Sequence, residues 1–459
     1  MVRGFVSLFN CKRENHGEQD LSGVYTGYIR RFNLQHWWGI AERSGVNAAC
    51  RLRVVMRENL MGILASLALL IGCAQAQSSL APALEWPSAA TKQTLNMAVL
   101  KPEEYPTNQA LPLVVYLENL AAPRVGTDGD EAIIHDFMHA GFLVVTLDYA
   151  RHPQARVPAL NRDLLEIRNE VLHKTFLLGI EIDPTRVFLV PAGSRLRRDV
   201  VFYREPGRTL AMDIIYPSHP AQPVGAVMEF SCDNQNRMGD GSLVSCSDTI
   251  LDGEAAEGFA VAMADHPVKA PYKGLDPMPD CAWKIKAAVR TLRLTGAELG
   301  FNGKIAPVGF SRGSGMALML ITTKGMEEFE GHGENTNSDS DVQGAIVMSG
   351  RFTYLDLLPN DHMLPRYAAS WGDRAGHLEV WRREGALDYL SGATLPLFLT
   401  INCSEGPDAQ LQMATLRKHL AELGSDEIFM LDHEPRGHKV TVVPDILSAM
   451  DRYLKSRLN

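Results

Sequence analysis

Basic residues are too few in this chain to balance its acids: 45 lysines and arginines stand against 54 aspartates and glutamates, a formal charge of −9 over 459 residues. A general nucleic-acid binder needs a basic face that displaces counterions, so that class is excluded, and no polybasic patch offers itself to a membrane. Cysteine is scarce, seven in all, and no two are spaced Cys-x-x-Cys; His-Glu-x-x-His is also missing. Spacing therefore offers no zinc site, and neither a metal nor an organic cofactor is expected. Long hydrophobic runs are lacking too. The run over residues 61 to 72 falls short of the roughly 20 residues needed to cross a bilayer. What remains is an ordinary globular composition, 46% hydrophobic and 22% charged, sufficient for a large core and two domains.

The short apolar run has the form of a signal-peptide core. Arg51, Arg53 and Arg57 flank its start, and Met56 stands where such a peptide would begin. Leu70-Ile71-Gly72-Cys73 is similar to a lipobox, and Ala74-Gln75-Ala76 to a small-residue cleavage site. Residues 1–76 are accordingly expected to be a leader, with 1–55 an over-extended translation start and 56–76 the signal. A buried N-terminal helix is the alternative. The expected location is periplasmic or envelope-bound, with membrane attachment only through a lipid on Cys73. Cys232, Cys246, Cys281 and Cys403 would remain in the mature chain. In an oxidising compartment these permit two disulfides; in a reducing one they are small buried hydrophobes.

Strand and helix patterns then alternate, which predicts an α/β fold with a mainly parallel sheet covered by helices on both faces. The pattern occurs twice. The first pass has strands at 113–117, 141–148 and 187–190, with helices at 133–139 and 163–178. The second has strands at 210–217, 224–230 and 258–265, a helix at 281–294 and a strand at 304–310. Gly258-Phe259 through Asp265 repeats the Gly141-Phe142 opening and Asp148 ending of the first pass. At nearly constant offset, Gly193 falls close to the place of Ser311. An internal duplication follows as the expectation, with 77–198 a partial copy lacking a nucleophile and 199–459 the catalytic domain. Residues 326–341, acidic and rich in Gly, Asn and Ser, read as a solvated connection. Residues 351–394, with Trp371, Trp381 and Tyr367 but no strand pattern, read as an insert or lid.

The chemistry concentrates at Gly309-Phe310-Ser311-Arg312-Gly313, between an apolar strand and the apolar helix pattern of 316–321. A serine on a strained strand-to-helix turn needs small residues two before and two after it, because the backbone crosses itself there. Gly309 and Gly313 supply them. The Arg312 N–H, at the positive end of the helix, is a candidate donor to an oxyanion. Ser194 lacks the flanking glycines and is a poor nucleophile.

Serine attack needs a positioned base held by a carboxylate. After a strand at 395–402 comes Cys403-Ser404-Glu405-Gly406-Pro407-Asp408, then a helix at 410–423. After a strand at 427–431 comes Asp432-His433-Glu434-Pro435-Arg436-Gly437-His438. His438 is the expected base with His433 as runner-up, and Glu405 is preferred to Asp408 as the acid. Asp265 precedes the nucleophile and reads as structural or substrate-facing.

On these pieces, residues 199–459 resemble an α/β-hydrolase of the carboxylesterase and acetyl-esterase-like branch. The resemblance implies Ser311 as nucleophile, His438 as base and Glu405 or Asp408 as acid, acting on a small-molecule or carbohydrate ester without a cofactor. One departure stands out. Such esterases place His-Gly or His-Gly-Gly-Gly after the third strand, whereas this chain has Phe230-Ser231-Cys232-Asp233-Asn234. The N–H of Cys232 or Asp233 would have to complete the oxyanion hole, and losing one such donor costs about 3 kcal/mol. Two other readings stay open: a prolyl-oligopeptidase-like peptidase, and a non-catalytic binding or scaffold protein on a decayed hydrolase fold.

Overall fold

The computed structural model describes residues 84–87, 94–102, 109–118, 130–149, 166–167, 169–173, 175, 179–230, 248–267, 278–392, 396–425, 427–441 and 443–459. The expected leader with Cys73, the cysteines 232 and 246, and Asp233 lie outside these residues. Residues 79–459 form one compact unit. Among the described residues no helix is long and apolar enough to cross a membrane.

The architecture is mixed α/β, with two sheets. The first contains β1 (Leu84–Pro87), β2 (Thr94–Leu100), β3 (Leu111–Leu117), β4 (Leu143–Leu147) and β5 (Ile182–Pro191), in the order β1-β2-β4-β3-β5. Strands β3 and β4 are continuous apolar runs because both of their faces are covered, the sequence form of a buried parallel pair. Helix α1 (Asp130–His139) enters with two acids in its first turn, where the helix dipole favours them, and buries Ile133 and Phe137, four apart on one face. Tyr116 of β3 fastens this layer: its hydroxyl donates to Asp130 Oδ1 at 2.6 Å and accepts from the Gly193 N–H at 2.8 Å.

The second sheet contains β6 (Ser194–Glu205), β7 (Arg208–Pro217), β8 (Val224–Phe230), β9 (Ala260–Ala264), β10 (Phe301–Phe310), β11 (Ala345–Met348), β12 (Leu397–Asn402) and β13 (Ile428–Asp432). Its order is β13-β12-β11-β10-β8-β9-β7-β6. Strands β13 through β9 pair in parallel; β7 is antiparallel to β9, and β6 to β7. The sheet is therefore mixed, with its antiparallel part confined to one edge. The first sheet repeats this beginning strand for strand: two antiparallel pairings, β1–β2 and β2–β4, then two parallel ones, β4–β3 and β3–β5.

One face of the large sheet packs on α3 (Asp280–Glu298), α4 (Arg312–Thr322) and α8 (Pro407–Glu422), through residues such as Met228, Ile285, Leu318 and Leu416. The other face shares a core with α2 (Asp248–Ala256), α9 (Pro444–Leu458), α1 and one side of the first sheet; Val114 and Phe188 lie in the same cluster as Val227, Val308 and Leu454. Two sequence expectations change here. The boundary expected at 198/199 falls inside β6, and the sheets divide at Gly193 (φ 72°), where the chain leaves β5 for β6. Residues 326–341 are not simply solvated. They include α5 (Glu327–Glu330), whose Phe329 is buried and whose Glu330 meets Lys286 at 2.6 Å and Arg290 at 3.2 Å, both cations fully or nearly fully buried on α3. An acidic run looks solvated in sequence when the cations it neutralises lie more than thirty residues earlier on an apolar helix.

Cys403 is an exposed free thiol. The two-disulfide arrangement over Cys232, Cys246, Cys281 and Cys403 is therefore not formed; Cys281 is buried, with its Sγ 3.3 Å from Met316 Sδ.

Candidate functional site

Strands β10, β11, β12 and β13 are adjacent and parallel, so the residues that follow them emerge side by side at one sheet edge, at the inter-strand spacing of about 4.8 Å. These residues are Ser311, Ser349, the 403–406 turn and the 432–438 loop. The carboxyl ends of parallel strands are where open α/β sheets place ligands.

Ser311 has φ 57° and ψ −118°, a strained backbone for a residue bearing a Cβ. Its N–H donates to the Met348 carbonyl at 3.0 Å, and its own carbonyl accepts from the N–H and Oγ of Ser314 at 3.2 and 2.5 Å. The glycines are there for space. A Cβ on Gly309 would lie 2.1 Å from the Gly313 carbonyl oxygen, and one on Gly313 would lie 3.0 Å from the Phe230 carbonyl oxygen. Helix α4 begins at Arg312, so its N-terminal end lies directly after the serine.

His438 Nε2 lies 2.9 Å from Ser311 Oγ, and His438 Nδ1 lies 2.9 Å from Glu405 Oε2. The same carboxylate oxygen accepts the Ser349 hydroxyl at 2.5 Å, and Glu405 Oε1 accepts the Gly406 N–H at 3.1 Å. Burial by itself would raise the Glu405 carboxyl, but the hydrogen bonds from His438 and Ser349 outweigh it and hold the group below the ordinary carboxylate value. The imidazole also packs on the Phe310 ring at a tilt of 33°, centroid to centroid 4.7 Å.

The structure brings Ser311, His438 and Glu405 together and leaves Asp408 and His433 apart from them. Asp408 opens α8 and lies 3.7 Å from Arg351; His433 is exposed. Asp265 caps a ladder, its Oδ2 accepting the Ala211 N–H at 2.8 Å. Sequence reading missed three supporting residues. Ser349 (φ 44°) holds the acid. Asn402 spans both loops, its Oδ1 accepting the N–H groups of Ser404 and Arg436 and its Nδ2 donating to the Glu434 carbonyl. Ser404 Oγ accepts the Gly437 N–H at 2.8 Å. Their one signal is position, at or just after strand ends, and that signal needs the strand order to become useful.

The constellation opens into a cavity of about 600 Å³ lined by Ser311, His438 and Arg312 on one side and by the 351–392 segment on the other. That segment carries α6 (Leu364–Trp371), α7 (Leu378–Glu384) and a 3₁₀ turn at Ala386–Tyr389. Tyr367 and Trp371 stack at 4.9 Å with an interplanar angle of 3°, and Trp381 packs edge-on to both. A grouping with the donor types of a metal site, Asp361, His362 and Asp408, also lies at this cavity. Arg351 already clamps Asp361 with two guanidinium nitrogens at 3.0 and 2.8 Å, which supplies the cation these carboxylates need.

Two ionisable groups of the wall are held neutral. Burial, with Arg312 and Arg208 nearby, pushes His266 well below its ordinary value. Burial raises Glu384 to about 8, against smaller opposing contributions from the Met278 N–H and Arg383. Glu254, on α2, is raised as well by burial and by the neighbouring Asp451 and Glu257. For both glutamates the folded state keeps a proton that the unfolded chain releases near pH 4.5. Stability from these groups is therefore present at the acid end of the window and lost as pH rises from about 4.5 toward 8. His266 acts with the opposite sign below its ordinary value of 6.5, so the comparison is made above it: the melting temperature is expected to be higher at pH 7 than at pH 8.5, and Glu384→Gln is expected to flatten that slope; calorimetric melts across the range test this, and a rising slope would refute it.

No family model matches the chain, and no curated protein matches it. Solved structures do. A truncated carbohydrate esterase from gut microbiota shares 16% identity over 57% of this chain and 95% of its own, with a TM-score of 0.47. A bifunctional GH43-CE protein of Bacteroides eggerthii shares 19% over 57% of this chain and 38% of its own, TM-score 0.49. The butyrate-bound esterase Est2 of Thermogutta terrifontis shares 17% over 57% and 94%, TM-score 0.45. The likeness is distant and assigns no chemistry to this chain.

Proposed function

We propose that the protein is a serine hydrolase of the α/β-hydrolase type that cleaves a carboxylic ester through an acyl-serine intermediate. The observation that carries this reading is the unbroken relay Ser311 Oγ, His438 Nε2, His438 Nδ1, Glu405 Oε2, each link 2.9 Å. A binding or scaffold role does not call for that relay or for a strained serine with a glycine at 309 that no other residue could replace.

Ser311 Oγ attacks the ester carbonyl carbon while His438 Nε2 takes its proton. Glu405 keeps the Nδ1–H tautomer in place and stabilises the imidazolium that forms. The tetrahedral oxyanion meets the Arg312 N–H and the N-terminus of α4; the N–H of Cys232 or Asp233 as the second donor is a reading from the sequence alone, these residues lying outside the described ones. As the carbon–oxygen bond to the alcohol breaks, His438 returns the proton to the leaving oxygen. Water then gives a proton to His438 as its oxygen attacks the acyl carbon, and His438 returns that proton to Ser311 Oγ as the acyl–Oγ bond breaks, releasing the acid and free Ser311.

Residues 77–193 are read as a truncated copy of the same unit, supported by the matching strand order and senses and by Gly193, in positive φ at the end of β5 as Ser311 is at the end of β10. At that point the copy has no hydroxyl and no following helix, so it has nothing to attack with. Export with a leader at 1–76 belongs to the same proposal and rests on the sequence alone.

Labelling with a fluorophosphonate probe tests the reading. A single covalent adduct on the wild-type protein, lost in Ser311→Ala, is expected by intact mass. A folded wild type that takes no adduct would refute it.

A further inference from the structure

We propose that Glu384 is a specificity-determining residue of the ester site just described: one oxygen of its carboxyl is held by the Met278 N–H, and the other meets a hydroxyl carried by the substrate beside the scissile bond. This rests on the ester-hydrolase reading and deepens it by naming the substrate chemistry.

Glu384 ends α7, lies in the cavity wall and is nine-tenths buried. Its Oε1 accepts the Met278 N–H at 2.9 Å. Among the described residues, Oε2 receives no hydrogen bond. The cavity wall mixes apolar and aromatic members such as Met316, Met363 and Trp371 with the cations Arg312, Arg351 and Arg366. Polar groups placed in such a wall set the orientation of a ligand. The residue as a whole is buried and lines the cavity, so its second oxygen is the one left for a group that enters there.

The side chain is held on a fixed backbone. A Cβ on Gly385 would lie 3.0 Å from Thr353 Cα and 3.1 Å from the Phe352 carbonyl oxygen, and the Leu387 N–H donates to that same carbonyl at 2.8 Å. The turn that carries Glu384 is thus pressed against the segment following β11. The ionisable groups that face it are Arg383, Tyr354 and Tyr389, and its burial keeps the carboxyl protonated at neutral pH. A protonated carboxyl both donates and accepts, which matches a hydroxyl and mismatches an alkyl chain. That hydroxyl can sit on the alcohol side of the ester, as in an acylated sugar, or on the acyl side, as in a hydroxy acid.

The test compares wild type, Glu384→Leu and Glu384→Gln on ethyl acetate, ethyl lactate and a monoacetylated methyl xyloside. Glu384→Leu is expected to lose at least about tenfold in kcat/KM on a hydroxylated ester while ethyl acetate stays within about threefold, since a site built to bond a hydroxyl discriminates strongly for it. Glu384→Gln, which retains a donor and an acceptor, should keep the wild-type selectivity within about threefold. Loss confined to the xyloside puts the hydroxyl on the alcohol side; loss confined to the lactate puts it on the acyl side. Equal loss on all three esters, or none, overturns the assignment. Should the wild type take no fluorophosphonate and hydrolyse nothing, the ester reading fails separately, and calorimetric binding of the same three compounds to the wild type and Glu384→Leu decides the hydroxyl site. Tenfold weaker binding of a hydroxylated compound to the variant supports it, and unchanged or undetectable binding overturns it.

Discussion

Replacing His438 by alanine is expected to lower kcat for ester hydrolysis by about 10⁴- to 10⁶-fold, with the fold intact and KM little changed. Among the described residues the imidazole is the group placed to take the Ser311 proton, 2.9 Å away; its ring is half exposed, and the buried Glu405 carboxylate that loses it keeps the Ser349 hydroxyl and the Gly406 N–H, so the fold is expected to survive. Glu405→Gln is expected to cost about 10³- to 10⁴-fold, because an amide can present the wrong partner to Nδ1–H and provides no charge for the imidazolium. Asp408→Asn should stay within about fivefold, since Asp408 faces Arg351 and not His438. Steady-state kinetics on one activated ester measure all three. A loss in Asp408→Asn that equals or exceeds that in Glu405→Gln would mean the acid has been misassigned.

The second large effect concerns stability. Glu330→Gln removes the carboxylate that Lys286 and Arg290 share, and both cations lie inside the protein. Taking one partner from a buried ion pair costs about 3 to 5 kcal/mol, because the remaining charge keeps its desolvation penalty without compensation. The lower end is expected here. Lys286 retains the Thr323 carbonyl at 2.9 Å, and Arg290 retains the carbonyls of Glu330 and His332 at 3.1 and 3.0 Å. Denaturant unfolding should show a loss of about 3 kcal/mol. Adding Lys286→Met should recover part of it, since the methionine fills the space without a charge. A fall below about 1 kcal/mol in the single variant, or no recovery in the double, would show that the network is not a buried one in solution.

How much of this was legible in the sequence depends on how local each constraint is. The elbow was legible because most of its cause lies within five residues: the turn that gives Ser311 its positive φ brings the Gly313 backbone to where a Cβ on residue 309 would stand, whereas Gly313 makes room for the Phe230 carbonyl of β8. The alternating strands were legible because β3, β4, β8 and β9 are buried on both faces and so read as continuous apolar runs. The antiparallel edge at β6 and β7 was less so, since direction leaves little trace in a short strand. The solvated reading of 326–341 went wrong because charge patterning shows the acids and not what they face.

The order of serine, carboxylate and histidine was therefore present in the chain from the start, as was the reason for each to follow a strand. Only the tertiary structure decided which carboxylate meets the histidine. Glu405 and Asp408 are three residues apart, but the first lies in the turn and the second opens α8 toward Arg351, so they point to different neighbours. The same holds for Ser349, Asn402 and Glu384, whose partners come from segments 32 to 106 residues away. Local sterics act within a few bonds and leave a mark in the sequence; the pairing of side chains across a sheet edge or a cavity depends on strand order and helix placement, which emerge only when the whole core packs.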